Sequence, residues 1–179
     1  LFKILCLGAS KHYEKGYIFP AGKMTKLLLY IKKGAVRNYY HLSDTEITVS
    51  ICCDGEFASS FEFPNIILNS SHLEALEPLD VIEAPKDKLL RAYANDPMLE
   101  HFGRLWAEYQ LGTLIKNYQM LSLKGSSDRY NLFLKWYPHL EGRVPLKYIA
   151  ALLKIDQATL SRVRGKRNQL NLVPEAFFE

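Results

Sequence analysis

Gln157, Ala158, Ser161 and Arg162 recur at a spacing that one side of a helix would present together. Their chemistry suits the edges of base pairs. A guanidinium can donate two parallel hydrogen bonds to guanine O6 and N7, and a carboxamide can pair with adenine or reach a phosphate. Thr159, Arg164, Lys166 and Arg167 stand in the same stretch, with Lys147 and Arg143 upstream. Hydroxyls and cations of this kind grip phosphates, which orients a protein on a duplex without reading sequence. Between Arg143 and Asn168, 7 Lys and Arg are set against Asp156 alone. Residues 1–142 carry 16 Lys+Arg and 16 Asp+Glu, so the whole formal charge of +4 lies in the last 37 residues. Such segregation points to a polyanion, here double-stranded DNA, as the partner of the carboxyl-terminal end.

Side chains can read base edges only if a rigid element carries them. Two short helices around a tight turn are expected over Arg143–Arg167. Ile149, Ala150 and Leu153 supply the apolar side of the first, Ile155 closes the turn, and Leu160 and Val163 turn the second inward. Pro145 can start the first helix and Asp156 can cap the second. Lys154 stands where such turns often place glycine, so a left-handed conformation is expected there at a cost of about 1 kcal/mol. Gly165 is expected to end the second helix.

Upstream, Asp96-Pro97 reads as an N-cap followed by proline at the first helical position. Leu99, Phe102, Leu105, Trp106, Tyr109, Leu111, Leu114, Ile115, Tyr118 and Leu121 then follow a helical rhythm up to about Leu123. Neighbours such as Leu114 and Ile115 cannot all face one partner. The helix is therefore expected to pack its own domain on one side and a second copy of the chain on the other. Lys124–Arg129, "KGSSDR", reads as a hinge.

Residues 2–88 alternate short aliphatic and aromatic runs with turn signals at Pro20–Gly22, Lys33-Gly34, Leu42–Asp44, Asp54-Gly55 and Pro64-Asn65. This predicts an antiparallel sandwich or barrel. Cys6, Cys52 and Cys53 form no disulfide framework, and the adjacent pair would point to opposite faces of a strand. The stretch "LFKILCLGASKHY" is too short and too soon interrupted for a secretory signal, and no apolar run reaches a membrane span. A cytoplasmic protein without membrane contact is expected.

Tyr30-Ile31-Lys-Lys-Gly34-Ala-Val36 and Gly55-Glu56-Phe57 resemble the "Y-I-x-x-G-x-V" and "G-[DE]-F-x-G-E-[LI]" segments of the Crp/Fnr transcription regulators. "YIAALLKIDQATLSRVR" resembles the DNA-reading segment of that family, and the matching regions follow in the family's order. The resemblance implies an α+β chain with an antiparallel double-stranded β-helix, jelly-roll-like, as sensor over residues 1–95. A dimerisation helix over 96–123 and a helix-turn-helix domain over 124–179 would follow. The family's phosphate cassette is altered here. The "F-x-G-E-[LI]" stretch becomes Phe57-Ala58-Ser59-Ser60-Phe61, and the Arg-Ser-Ala position becomes about Asn69-Ser70-Ser71. The ribose-binding carboxylate and the phosphate-binding arginine are both missing. A buried phosphate would lose a charge-assisted pair, so cyclic AMP is not the expected effector. The resemblance leaves Ser59, Ser60, Asn69, Ser70 and Ser71, with His72 nearby, as a hydroxyl-rich site for a different small molecule. Its identity is unknown.

The expected function is a homodimeric, sequence-specific DNA-binding transcription regulator that contacts RNA polymerase if it activates. A protein-docking module built on the same sensor is the other reading, to be recognised by DNA affinity without sequence preference. A cupin-like enzyme would need clustered histidines on neighbouring strands. The β region holds His41 and His72 without an H-x-H pair, so neither a metal site nor catalysis is expected. Iron–sulfur ligation would need four cysteines.

Overall fold

The structure is a computed structural model that describes residues 2–19, 27–59 and 72–170. It divides into two compact units, residues 1–112 and 113–179.

The first unit is built on two antiparallel four-stranded sheets. Its strands are β1 (Ala9–Tyr13), β2 (Ile18–Phe19), β3 (Leu27–Lys33), β4 (Ala35–Leu42), β5 (Thr45–Cys53), β6 (Phe57–Ala58), β7 (His72–Ala75) and β8 (Leu79–Pro85). One sheet has the order β1-β8-β3-β6 and the other β2-β7-β4-β5. β4 and β5 form a hairpin within one sheet, and every other pair of successive strands crosses between the sheets, the jelly-roll-like arrangement that the resemblance implies. Phe19, Val36, Leu73 and Ala75 from one sheet and Leu29, Ile31, Ala58, Leu79 and Val81 from the other form one buried cluster. The two sheets therefore face each other across it. Burial of each large side chain contributes roughly 1.5–3 kcal/mol. Gly34 turns β3 into β4 at φ +117°, where a Cβ would lie 2.8 Å from Leu79 Cδ1 and from the Pro78 carbonyl. Nothing larger fits that turn. Gly22 and the Pro20–Gly22 and Pro64-Asn65 turns lie outside the described residues.

Three helices flank this unit: α1 (Phe2–Leu5), α2 (Lys86–Asn95) and α3 (Pro97–Ser122). Helix α2 was not anticipated from the sequence. Leu89, Ala92 and Tyr93 give it a narrow apolar side that packs with Ile4, Leu28, Ala84, Leu99, Phe102 and Trp106. Asp96 caps α3 as expected, its carboxylate accepting the Met98 amide at 3.0 Å. Among the described residues no helix is long and apolar enough to cross a membrane.

The division between the units falls at Gly112, inside α3. The second unit holds the end of α3, then α4 (Ser126–Trp136), a 3-10 turn (Pro138–Leu140), α5 (Leu146–Leu153) and α6 (Gln157–Leu170). Its buried residues include Met120, Tyr130, Phe133, Leu140, Ile149, Ala150, Leu153 and Leu160. Lys124–Arg129, expected as a hinge, lies inside this unit rather than between the two.

Candidate nucleic-acid interface

Helix α5 is apolar on the side that turns inward, through Ile149, Ala150, Leu152 and Leu153. It stops because Lys154 takes the left-handed conformation, φ 54° and ψ 44°. The chain can then reverse, and the Ile155 amide returns to the Ala150 carbonyl at 3.1 Å. Asp156 opens α6 by accepting the Thr159 amide at 2.7 Å. Bonds from the Thr159 hydroxyl and amide hold the Asp156 carboxyl below its ordinary value. A carboxylate here also faces the positive end of the helix.

Leu160 is wholly buried and Val163 half-buried, so the orientation of α6 is fixed. Gln157, Ala158, Ser161 and Arg162 are exposed, as is Lys166. The Arg162 guanidinium donates to the Thr159 hydroxyl at 3.1 Å, one turn back. Thr159 is half-buried. Lys147 is exposed on α5 with its ammonium 4.6 Å above the Tyr148 ring. Arg143 is half-buried in the segment before α5.

Two cations of α6 lie elsewhere. Arg167 has its guanidinium 3.5 Å from Glu141, and the same carboxylate accepts the Tyr130 hydroxyl at 2.9 Å. Burial, and then Glu141, pushes the Tyr130 phenol up to about 12, while Arg164 and Arg167 pull it back. Arg164 and Arg167 therefore sit towards the packed side of α6, and Gln157, Ser161, Arg162 and Lys166 towards solvent.

Gly165 does not end α6, which continues to Leu170. Its backbone has no positive φ and an added Cβ would meet nothing within 4 Å. A single helical glycine costs about 1 kcal/mol relative to alanine. The flanking Arg164, Lys166 and Arg167 are good helix formers, which offsets that cost.

Arg129 escaped the sequence reading. Its Nε donates to the Leu123 carbonyl at 2.7 Å, and its Nη1 lies 3.1 Å from the Leu153 carbonyl and 3.4 Å from that of Lys154. Nothing in the local sequence marks it, because its acceptors are backbone atoms supplied by α5 and by the exit of α3.

In the β unit, Ser59 donates its hydroxyl to the Leu27 carbonyl at 3.0 Å. Ser60, Asn69, Ser70 and Ser71 lie outside the described residues. His72 stacks on Tyr39 at 5.3 Å and meets His41 edge-on at 5.3 Å. Arg37 is buried, with Nε 2.5 Å from Glu74 and Nη2 2.6 Å from Glu46, so its charge is already compensated. Glu56 is also engaged, accepting the Cys53 amide at 2.8 Å and the Tyr109 hydroxyl at 3.2 Å. Strand alternation places Asn38 on the face of Val36, opposite Ser50, and its Oδ1 is buried without a hydrogen-bond partner among the described residues. Burial pushes the neighbouring Cys52 thiol up to about 12. Among the described residues no three His, Cys, Asp or Glu side chains converge as metal ligands.

No protein-family model matches this sequence, and no curated protein matches it either. Its structure is nonetheless similar to solved ones. FixK2 from Bradyrhizobium japonicum superposes with a TM-score of 0.74 at 16% identity, over 92% of this chain and 86% of that one. A CooA variant from Carboxydothermus hydrogenoformans gives 0.72 at 18% identity, over 94% and 79%. A protein from Eubacterium rectale, described as a transcriptional regulator of the Crp/Fnr family, gives 0.70 at 19% identity, over 93% and 81%. At these identities the likeness is one of architecture. With its paired antiparallel sheets, long helix and small helical unit in this order, the chain has the Crp/Fnr fold.

Proposed function

We propose that this protein is a sequence-specific DNA-binding transcription regulator that works as a homodimer. The observation that carries the reading is the exposed side of α6, where Gln157, Ala158, Ser161 and Arg162 stand together on a helix seated by Leu160 and capped by Asp156. The charge of the units supports it. Residues 113–179 carry 11 Lys+Arg against 5 Asp+Glu, whereas residues 1–112 carry 12 against 14.

In this reading α6 enters a major groove, and Arg162 pairs with guanine while Gln157 meets adenine or a phosphate. Lys147, Thr159 and Lys166 reach phosphates on either side. Arg164 and Arg143, half-buried, reach the backbone less directly. Two subunits present two such helices about 34 Å apart, so the target is a pseudo-palindrome. Leu111, Leu114, Ile115 and Tyr118 recur on one side of α3 and are all at least half exposed, so Leu114 and Ile115, expected from the sequence to divide between two partners, share one face after all; in this reading that face pairs the subunits. The β-roll senses a small molecule other than cyclic AMP. The cassette lacks its carboxylate and arginine, and Arg37 is neutralised by Glu46 and Glu74. As an activator the protein would also contact RNA polymerase.

Selection of bound duplexes from random DNA tests this, run with the full chain and repeated with Arg162→Ala. A symmetric consensus is expected from the native protein. The variant should lose about tenfold or more in affinity for the consensus, as one bidentate pair is worth roughly 1–3 kcal/mol. Arg164→Ala should weaken all sequences alike and flatten the salt dependence. If Arg162→Ala retains the full preference, another face of the protein reads the DNA.

A further inference from the structure

We infer that Arg129 is a positioning residue for DNA recognition, a rigid link between the exit of α3 and the turn that sets α6. The inference rests on the assignment of α6 as the reading helix.

A guanidinium is planar, permanently charged and rich in donors held in a fixed fork. Arg129 spends these donors on main-chain carbonyls from two places far apart in sequence. Nε bonds Leu123 at 2.7 Å, just past the end of α3, and Nη1 reaches Leu153 at 3.1 Å and Lys154 at 3.4 Å, at the end of α5. The Leu153 and Lys154 carbonyls lie in the left-handed turn, and α6 begins three residues after Lys154. A second tie holds α4 to α3 at the other end, where the Tyr137 hydroxyl donates to Asn117 Oδ1 at 3.0 Å. Helix α4 is thus fastened to α3 through Arg129 and Tyr137, and Arg129 also reaches the α5–α6 turn.

The consequence is mechanical. Backbone carbonyls cannot swing away as side chains can, so a displacement of the α3 exit must either break the Leu123 bond or drag the guanidinium, and with it the turn. Arg129 acts through α6 and touches no base itself. Lysine, with a single point charge on a flexible stem, cannot span both sites.

Arg129 could instead only steady the strained Lys154 turn, and the test separates the two roles. Arg129→Gln and Arg129→Lys are compared with Arg129→Gln/Lys154→Gly, where glycine relieves the strain and restores the fold should Arg129→Gln alone prove unstable. Each is measured for melting temperature and for affinity to the selected consensus and to random duplex at one ionic strength. The double variant should melt like the native protein yet discriminate consensus from random DNA about tenfold less well, the size of an ordinary coupling between sites. Arg129→Lys should show the same loss. Native discrimination in the double variant would overturn the proposal and leave Arg129 a local turn stabiliser. Amide hydrogen exchange without DNA provides an independent readout. Leu121–Lys124 and Leu153–Ile155 should both exchange faster in the double variant, and unchanged exchange at Leu121–Lys124 overturns the link. If the native protein itself selects no sequence, the DNA reading fails while the exchange experiment still decides the link.

Discussion

Lys154 is held in the left-handed region at φ 54° by three things: the return of the Ile155 amide to Ala150, the Arg129 bonds to the Lys154 carbonyl and to that of Leu153, and the buried Leu152 and Leu153 just before it. The Cβ of an L-residue crowds the following carbonyl in this conformation, at roughly 1–2 kcal/mol. Replacing Lys154 by glycine removes that repulsion but gives the unfolded chain more freedom. The net expectation is a gain of about 1 kcal/mol in urea unfolding. A loss of stability would show that the Lys154 stem contributes packing that outweighs the strain. The position was legible in the sequence because the turn's geometry is demanded by the spacing of Ile149, Ala150, Leu153 and Leu160. The compensation by Arg129 was not. A side chain that bonds only to main chain leaves no pattern in residue types.

At the scale of elements, β1 is an edge strand with a charged, exposed run, held to β8 in antiparallel register. His12 Nδ1 lies 2.7 Å from Asp80 Oδ1 across that pairing, and Nε2 lies 3.5 Å from Glu14. The Asp80 hydrogen bond lifts the imidazole above its ordinary 6.5, and in return lowers Asp80 from 3.8. A raised histidine stabilises fully below 6.5 and loses that contribution as pH rises through its folded value. A lowered aspartate stabilises above 3.8 and loses it as pH falls through its own folded value. The pair therefore supports the edge most between 3.8 and 6.5. The difference in melting temperature between the native protein and His12→Gln should be widest in that window and shrink on both sides. A constant difference from about pH 3 to pH 9 would show that His12 acts by packing alone. Among the elements, α3 was readable because Asp96-Pro97 and a long apolar rhythm agree. Helix α2 was not, since its apolar side is three residues wide and its partners Ile4 and Leu28 arrive from distant segments. The end of α6 was misjudged as well. Gly165 looks like a terminator locally, but among strong helix formers its cost of about 1 kcal/mol does not stop a helix that runs on to Leu170.

The whole molecule is expected to be two chains. Leu111, Leu114, Ile115 and Tyr118 are exposed by 57%, 59%, 50% and 73%, an apolar stripe too regular for an isolated helix surface. Covering each would contribute up to roughly 1.5–3 kcal/mol per subunit. Leu114→Glu should then weaken self-association by about a hundredfold or more, equivalent to about 2.7 kcal/mol. Sedimentation equilibrium would read this as a shift towards the monomer mass, with the helical signal retained. An unshifted mass would place the subunit contact on another surface. The order of sheet, long helix and small helical unit was legible from the chain because each segment has its own periodicity. The interior of the β unit was less so. Asn38 and Ser50 meet across β4 and β5 only because a register shift beyond Asn38 sets Tyr39 opposite Thr48, and no residue type announces such a shift.

Arg37 and Glu74 carry a consequence for how this sequence can change with time. Arg37 is enclosed and Glu74 partly so, and the guanidinium holds Glu46 as well. Removing the Glu74 carboxylate leaves the guanidinium its second partner, whereas removing the guanidinium leaves two carboxylates facing each other, a cost that is large against a total stability that is itself small. The carboxylate codons can therefore drift one at a time while the arginine codon cannot, so the cation behaves as a historical lock on the sheet that contains it.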